Sequence, residues 1–329
     1  MTVGRRTALA LLPSLTGAVR GATAASDAGA AGYPDRPVRV VVPLTAGGSV
    51  DLLTRALARR LSEDFGQPVV IENKPGGTTV IGAQLVARAA PDGYTLLSGS
   101  SSVELNRVLM PRLPYDPQRD LTPVALLATI PFVLVVNAGL PVRSLTDLVA
   151  HARANPGALS YASYGAGGPG HLSGELFNRM AGVDTLHVPY PGIPPALVDV
   201  IAGRVSMIFS TFPLALPEIA SGRLRALAVT SAERVPALPD VPTAQEAGLA
   251  GYESSGWNVL HAPGGAASAV VERLNAAVIQ ALADRALRAV LTDQGFVVAP
   301  PLTPGGVRAF TVAAVGRWER VIQEAGIRL

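Results

Sequence analysis

The order of the chain predicts an α/β fold built from mostly parallel sheets flanked by helices. Three observations carry this reading. Short β-rich runs alternate with stretches whose apolar residues recur every three or four positions, the rhythm of βαβ units. That rhythm runs twice, broken by the proline-rich stretch "LPYDPQRDLTPVALLATIPFVLVVN". A strand, an Ala-Gly-Gly turn and a helix recur in each half, as "VVPLTAGGSVDLL" and "YASYGAGGPGHLS". Two α/β units built this way would each aim a glycine turn from the carboxyl end of a strand, where open sheets bind ligands.

The elements follow in order. "VRVVVP" reads as a buried strand, and Val50, Leu53, Leu57 and Leu61 mark one face of the helix after it. "PVVIEN" is the next strand, "TVIGAQLVARA" a helix, and "YTLLSG" a strand entered from "PDG". The proline-rich stretch reads as two strands. The second series runs through "TDLVAHARA", "LSYASYG", "LFNRMAG", "TLHVPY", "PALVDVIAG", "VSMIFS" and "LRALAVTS". "LPDVPTAQEAG" is a loop, "GWNVLHAP" a strand, and the chain from Ala267 is mostly helical. Because "PFVLVVN" and "GWNVLHAP" flank the second series, the chain is expected to cross between lobes near Asn137 and return near Gly256. One lobe is then 33–136 plus 256–329, and the other 137–255.

The first residues read as a separate unit. Arg5 and Arg6 precede the apolar stretch "TALALLPSLTGAV", and Ala22-Thr23-Ala24 offers a small-residue cleavage site. Crossing a membrane takes about 20 apolar residues, so residues 1–24 read as a cleaved signal peptide, with cleavage between 24 and 32. The paired arginines are a weak match to twin-arginine export. The whole chain carries a net charge of +3, and Arg5, Arg6 and Arg20 all fall in the leader, ahead of the first acid, Asp27. Cleavage after Ala24 leaves 3 − 3 = 0, so nothing argues for nucleic-acid binding. Cysteine is absent, which removes disulfides, a thiol nucleophile, zinc–thiolate sites and a lipoprotein anchor.

The chemistry concentrates in glycine turns. Gly47, Gly48 and Ser49 open a helix, where free amides and the dipole favour a carboxylate or phosphate. The plainer reading is a tight turn with Ser49 as N-cap. Asp51 reads as a cap for the same amides, with pairing to a ligand amino group as the alternative. "ENKPGGTTVIG" repeats the logic, with Lys74 as a solvated loop charge. Gly165, Gly167 and Gly170 have the G-x-G-x-x-G spacing, and Asp184 lies near the offset of a ribose-binding acid. This is the alternative reading, an NAD-dependent enzyme. It is weakened because Asp184 precedes "TLHVPY" instead of ending it. His151, His171, His187 and His261 form no H-x-x-x-H or H-E-x-x-H, and no G-x-S-x-G elbow occurs. His171 opens a helix beside the second turn. His187 and His261 read as core residues.

Taken together, "YPDRPVRVVVPLTAGGSVDLLTRALA", "GQPVVIENKPGG", "PDGYTLL", "LPYDPQRDLTPVALL", "HLSGELFNRMAGVDTLHVPYPG" and "LRALAVTSAERVPALPDVPTAQEAG" resemble the Bug family, the periplasmic solute receptors of tripartite tricarboxylate transporters. The resemblance spans Tyr33 to Leu329. It implies a two-lobed type II periplasmic-binding-protein fold with the ligand in the cleft, no catalysis and no cofactor. The ligand would be a small carboxylate, the partners the permease subunits of such a transporter, and the receptor a periplasmic monomer. Carried over by motif, Ala46, Gly47, Gly48 and Asp51 hold one carboxylate. Ser163, Gly167, Gly168, His171 and Tyr190 hold the rest, with Gly77, Thr78 and Ser210 also at the site. Departures are visible. Leu44 and Thr45 stand for phenylalanine and proline, and Pro191 for lysine. Gly168 and Gly170 stand where serines are usual, and Ser210 replaces an acid. Thr78 and Thr79 stand where glycines are usual. Threonine resists φ > 0, so this loop is expected to take another shape and offer hydroxyls.

Overall fold

The computed structural model describes residues 1, 2, 32–324 and 327. The expected leader, beyond its first two residues, and its cleavage window lie outside the described residues. The first unit runs β1 (Val38–Val42), α1 (Ser49–Phe65), β2 (Val69–Asn73), α2 (Val80–Ala87), β3 (Thr95–Ser100) and α3 (Ser102–Leu109). β4 (Leu121–Asn137) leads into α4 (Leu145–Ala154), β5 (Ser160–Ser163), α5 (Pro169–Ala181), β6 (Leu186–Pro189) and α6 (Ile193–Ile201). Then come β7 (Met207–Thr211), α7 (Phe212–Ala220), β8 (Leu224–Val229) and β9 (Ser255–Pro263). The chain closes with α8 (Ser268–Ala283), α9 (Arg285–Asp293), β10 (Val297–Val298) and α10 (Pro304–Glu324).

The strands lie in the order β2-β1-β3-β9-β4-β7-β5-β6, with β8 and β10 also on β4. The outer pairs β1/β2, β1/β3, β5/β6 and β5/β7 are parallel, as βαβ connections require. The central strands β4 and β9 are antiparallel to their neighbours. The α/β class read from the sequence is therefore observed, as a mixed sheet.

Apolar runs in the strands are continuous because both faces are covered. Val40 and Leu96 pack under α1 and α8, against Leu53, Leu57, Leu61 and Leu274. Val41 and Leu97 face the other way, against Ala83 and Val86 of α2. Each buried leucine of α1 contributes about 1.5–3 kcal/mol, and all three are at most 3% exposed.

The proline-rich stretch is one strand, not the two expected. Pro123 sits at a register shift against β9, where a missing N–H is tolerated. Pro131 ends the pairing with β9, and from Phe132 onward β4 pairs with β7 and β8. The change of partner thus falls before Asn137. Thr230 ties β4 to the segment that leads into β9: its hydroxyl accepts from Phe132 N–H at 2.8 Å, and its carbonyl accepts from Ser254 N–H at 2.9 Å.

Candidate functional site

The two glycine turns are near copies of each other. Gly47 has φ +77° and Gly167 φ +74°, a conformation glycine adopts without steric cost. The N-caps after them are extended, Gly48 at −75°/164° and Gly168 at −68°/160°. Each left-handed glycine donates its N–H to the side chain four residues on. Gly47 reaches Asp51 Oδ2 at 2.9 Å, and Gly167 reaches His171 Nδ1 at 2.9 Å. The faint sequence repeat is thus a structural one, with an acid and an imidazole in the same office.

Asp51 is therefore a cap held from behind. Its Oδ2 also accepts from Arg55 Nε at 2.9 Å, and its Oδ1 from Asn73 at 3.0 Å. Burial alone would raise this carboxyl; the bonds from Arg55, Gly47 and Asn73 outweigh it and hold the group below its ordinary range. With Gly47 N–H engaged, the amides left at this helix start are those of Ser49, Val50 and Asp51, which precede the first helical bond, Leu52 N–H to Gly48 C=O.

Behind the second turn lies a stacked cluster. The His171 and His187 rings are 3.9 Å apart, and Tyr161 stacks on His187 at 5.0 Å. Ser163 Oγ bonds His187 Nε2 at 2.7 Å, and Tyr161 donates to Glu175 at 2.5 Å. Burial pushes both imidazoles down to about 4, so they are neutral. Nδ1 of His171 accepts from Gly167, which places its own proton on Nε2. His187 is thus part of this cluster and not a simple core residue, whereas His261 lies apart, 3.0 Å from Glu104.

Between the two halves of the sheet lies a half-open pocket that, with its solvent-filled mouth, spans about 460 Å³. Its walls come from Leu44, Thr45 and Gly48 to Val50, from Ser100 and Ser101, from Ile130 and Phe132, and from Tyr164, Gly192, Ile193, Thr211, Gly256 and Trp257. Among the described residues, no charged side chain lines it. Four of these residues, Gly48, Ser101, Gly192 and Thr211, are N-caps of α1, α3, α6 and α7, and none makes a side-chain capping bond. Away from the pocket, Ser144 and Asp284 cap their helices, whereas Thr79 and Ala267 do not. The strands alternate here: Ile130 and Gly256 face this pocket, while Thr129 and Ser255 line a separate cavity of about 790 Å³ beside α10.

Of the residues expected at the site, Gly48 lines the pocket. Ala46 and Gly47 are exposed in the turn that leads to it, Gly77 is exposed in the threonine loop, and Asp51, Ser163, Gly167 and His171 belong to the turns or support them from behind. Gly168 N–H is taken by Gly165 C=O at 3.1 Å. Tyr190 donates to Asp199 at 2.6 Å. Ser210 is buried in β7 and donates to the Thr211 carbonyl; strand alternation puts Thr211 on the pocket instead. The threonine loop departs from expectation. Thr78 and Thr79 adopt the positive φ of 49° and 78° that glycine would take. Asn106 holds them there, donating to Thr78 C=O at 2.8 Å and to Thr79 Oγ1 at 3.4 Å. Thr78 Oγ1 reaches Ala166 C=O at 3.3 Å, touching the second turn. The residues sequence reasoning missed are Ser100, Ser101, Tyr164, Thr211 and Trp257, which only long-range strand order brings together.

The alternative dinucleotide reading lacks its cradle. In the Gly165-Gly167-Gly170 turn, the amides of Gly167 and Gly168 are engaged and Pro169 has none. Asp184 sits before β6.

An uncharged pocket between two α/β halves, ringed by helix N-termini, defines a class: two-lobed proteins that bind small solutes. The chain matches the model of the tripartite tricarboxylate transporter family receptor over residues 53–327 and belongs to that family, one of periplasmic solute-binding receptors. It is 42% identical over 293 residues to the UPF0065 protein in the tcbD-tcbE intergenic region of Pseudomonas sp. (strain P51), covering 89% of this chain and 87% of that one. Protein BugT of Bordetella pertussis is 39% identical, covering 90% and 91%. Among solved structures, R. palustris Rpa4515 with adipate has a TM-score of 0.87 at 39% identity, covering 90% and 99%. MatC from Rhodopseudomonas palustris with bound malate has a TM-score of 0.83 at 36% identity, covering 88% and 100%.

Proposed function

We propose that this receptor captures a small carboxylate in the pocket and passes it to permease subunits of a tripartite tricarboxylate-type transporter. Residues 33–136 with 256–329, and 137–255, act as the two lobes of a monomer, and a cleaved leader takes the chain to the periplasm. The observation that carries this reading is an uncharged wall on which helices begin: α1 and α3 keep their first-turn amides, while Pro194, Pro195 and Pro213 remove donors from α6 and α7. Amides at such ends bond an anion for about 1.5–3 kcal/mol each, and each dipole adds about 0.3–1 kcal/mol. A few of them suffice for micromolar binding, about −8 kcal/mol, without arginine. Relatives bound to adipate and malate support the chemistry.

Equilibrium dialysis against a panel of organic acids, with product analysis after long incubation, tests it. A receptor returns the acid unchanged and gains about 2.7 kcal/mol of stability at 100 times the dissociation constant. Conversion of the acid, or no acid bound, would overturn the proposal.

A further inference from the structure

One helix start at the pocket carries a motif that the fold leaves unmade. A Ser or Thr followed three residues on by an acid forms a capping box. The hydroxyl accepts from the acid's amide, and the carboxylate accepts from the amide of the Ser or Thr. Two such pairs are complete away from the pocket. Ser144 and Asp147 exchange bonds of 3.1 and 3.0 Å at the start of α4. Thr243 and Glu246 exchange bonds of 2.8 and 3.0 Å at a turn. Ser101-Ser102-Val103-Glu104 has the same spacing at the start of α3, yet neither bond forms. The Ser101 hydroxyl and both Glu104 oxygens are buried without a hydrogen-bond partner among the described residues.

The acid of this box is drawn elsewhere. Glu104 Oε1 stands 3.0 Å from Nε2 of His261 on β9, and the two side chains are 10% and 3% exposed. This is a close contact and not an aligned hydrogen bond, since neither carboxyl oxygen has a donor. Arg107 and Arg308 line the same small cavity as the pair, but neither donates to Glu104. A carboxylate is costly to bury alone, and His261 is the group that faces this one.

The place of α3 gives that diversion a consequence. Ser100 and Ser101 belong to the wall of the ligand pocket. The amides of Ser102, Val103 and Glu104 precede the first helical bond, Leu105 N–H to Ser101 C=O at 3.0 Å. A carboxylate turned back onto this helix start would take one of its donors. It would also set a like charge beside an anion in the pocket.

Resting on the carboxylate reading, we propose that His261 is a positioning residue for ligand binding. It holds Glu104 against β9, away from the start of α3, so that the donors there stay free for the ligand.

Isothermal titration of the receptor with adipate, malate and benzoate tests this, on the unaltered protein and on His261→Leu, Glu104→Gln and the double variant. In His261→Leu the freed acid closes its box, and affinity should fall about tenfold, the worth of one charge-assisted bond. Glu104→Gln has no acid to turn back. It should bind within about twofold of the unaltered receptor, the usual scatter of uncoupled substitutions. The double variant should recover the same affinity. A pair that merely props the fold predicts the reverse, with Glu104→Gln weakened as much as His261→Leu and no recovery in the double variant; that result overturns the inference. Unchanged affinity in His261→Leu overturns it too, since Glu104 then stays off α3 without the imidazole. Both results leave the carboxylate reading standing. If none of the three acids binds the unaltered receptor, the two fall together. Should His261→Leu not fold, the other two variants decide: full affinity in both supports the inference, and a loss in either overturns it.

Discussion

Replacing Asp51 with Asn should loosen the first glycine turn from behind. The carboxylate is 2% exposed and accepts three hydrogen bonds, from Gly47, Arg55 and Asn73. An amide offers one acceptor oxygen. If that oxygen serves Asn73, its NH₂ faces the Gly47 and Arg55 donors, and the Gly47 amide loses its partner. A hydrogen bond to a charged group contributes about 1.5–3 kcal/mol. The Arg55 pair adds at most about 1 kcal/mol, since that side chain is 49% exposed. The substitution should therefore cost about 2–4 kcal/mol, on the order of 5–10 °C in melting temperature. Affinity for the best-bound acid should fall about tenfold or more, because the Ser49 and Val50 amides lose their fixed direction. Urea denaturation and calorimetric titration read the two effects separately. Unchanged stability with collapsed affinity would mean Asp51 touches the ligand, and no change in either would mean the turn is held by something else. Both results refute the reasoning.

Three further outcomes are expected. The folded pKa of about 4 at His171 and His187 lies below the usual 6.5 of imidazole, so the unfolded chain takes up protons first. The stability their neutral rings contribute is complete above pH 6.5 and lost as pH falls toward 4. It amounts to about 3 kcal/mol for His171 and less for the more exposed His187; melts at pH 7, 5.5 and 4 should show the decline, and a flat profile contradicts it. Thr78→Gly relieves a left-handed threonine worth about 1–3 kcal/mol of strain but removes the bond to Ala166, so the melting temperature should hold or rise while affinity falls about threefold. Gly174→Ala would place Cβ at a contact no real structure shows against the Tyr161 ring. It should cost at least about 1–3 kcal/mol and weaken binding by displacing the stack under His171, as thermal melts and titration would record.

Much of the fold is legible in the sequence because local patterns decide it. The spacing of Val50, Leu53, Leu57 and Leu61 marks a buried helix face, and those four residues are at most 3% exposed. The Ala-Gly-Gly repeat is likewise local, and its two turns share their dihedrals. What stayed hidden depends on distant partners. The proline-rich stretch reads as two strands, yet a register shift at Pro123 and a change of partner after Pro131 keep it one strand, β4. Thr78 and Thr79 read as resisting glycine's conformation, but Asn106, 28 residues from Thr78, holds them in it. Ser101 and Thr211 carry no binding motif at all; only the order of β3, β4, β7 and β9 brings them to one pocket. The same holds for His187, whose stack on His171 arises because β5 pairs β6 in parallel, with Tyr161 opposite His187.

A crystal structure of the receptor with its bound acid tests the central claim most directly. The carboxylate oxygens should lie about 2.7–3.1 Å from the first-turn amides of α1, at Ser49 and Val50, within the uncharged pocket and clear of Asp51. A carboxylate seated on an arginine side chain, or in the cavity between β9 and α10, would contradict it.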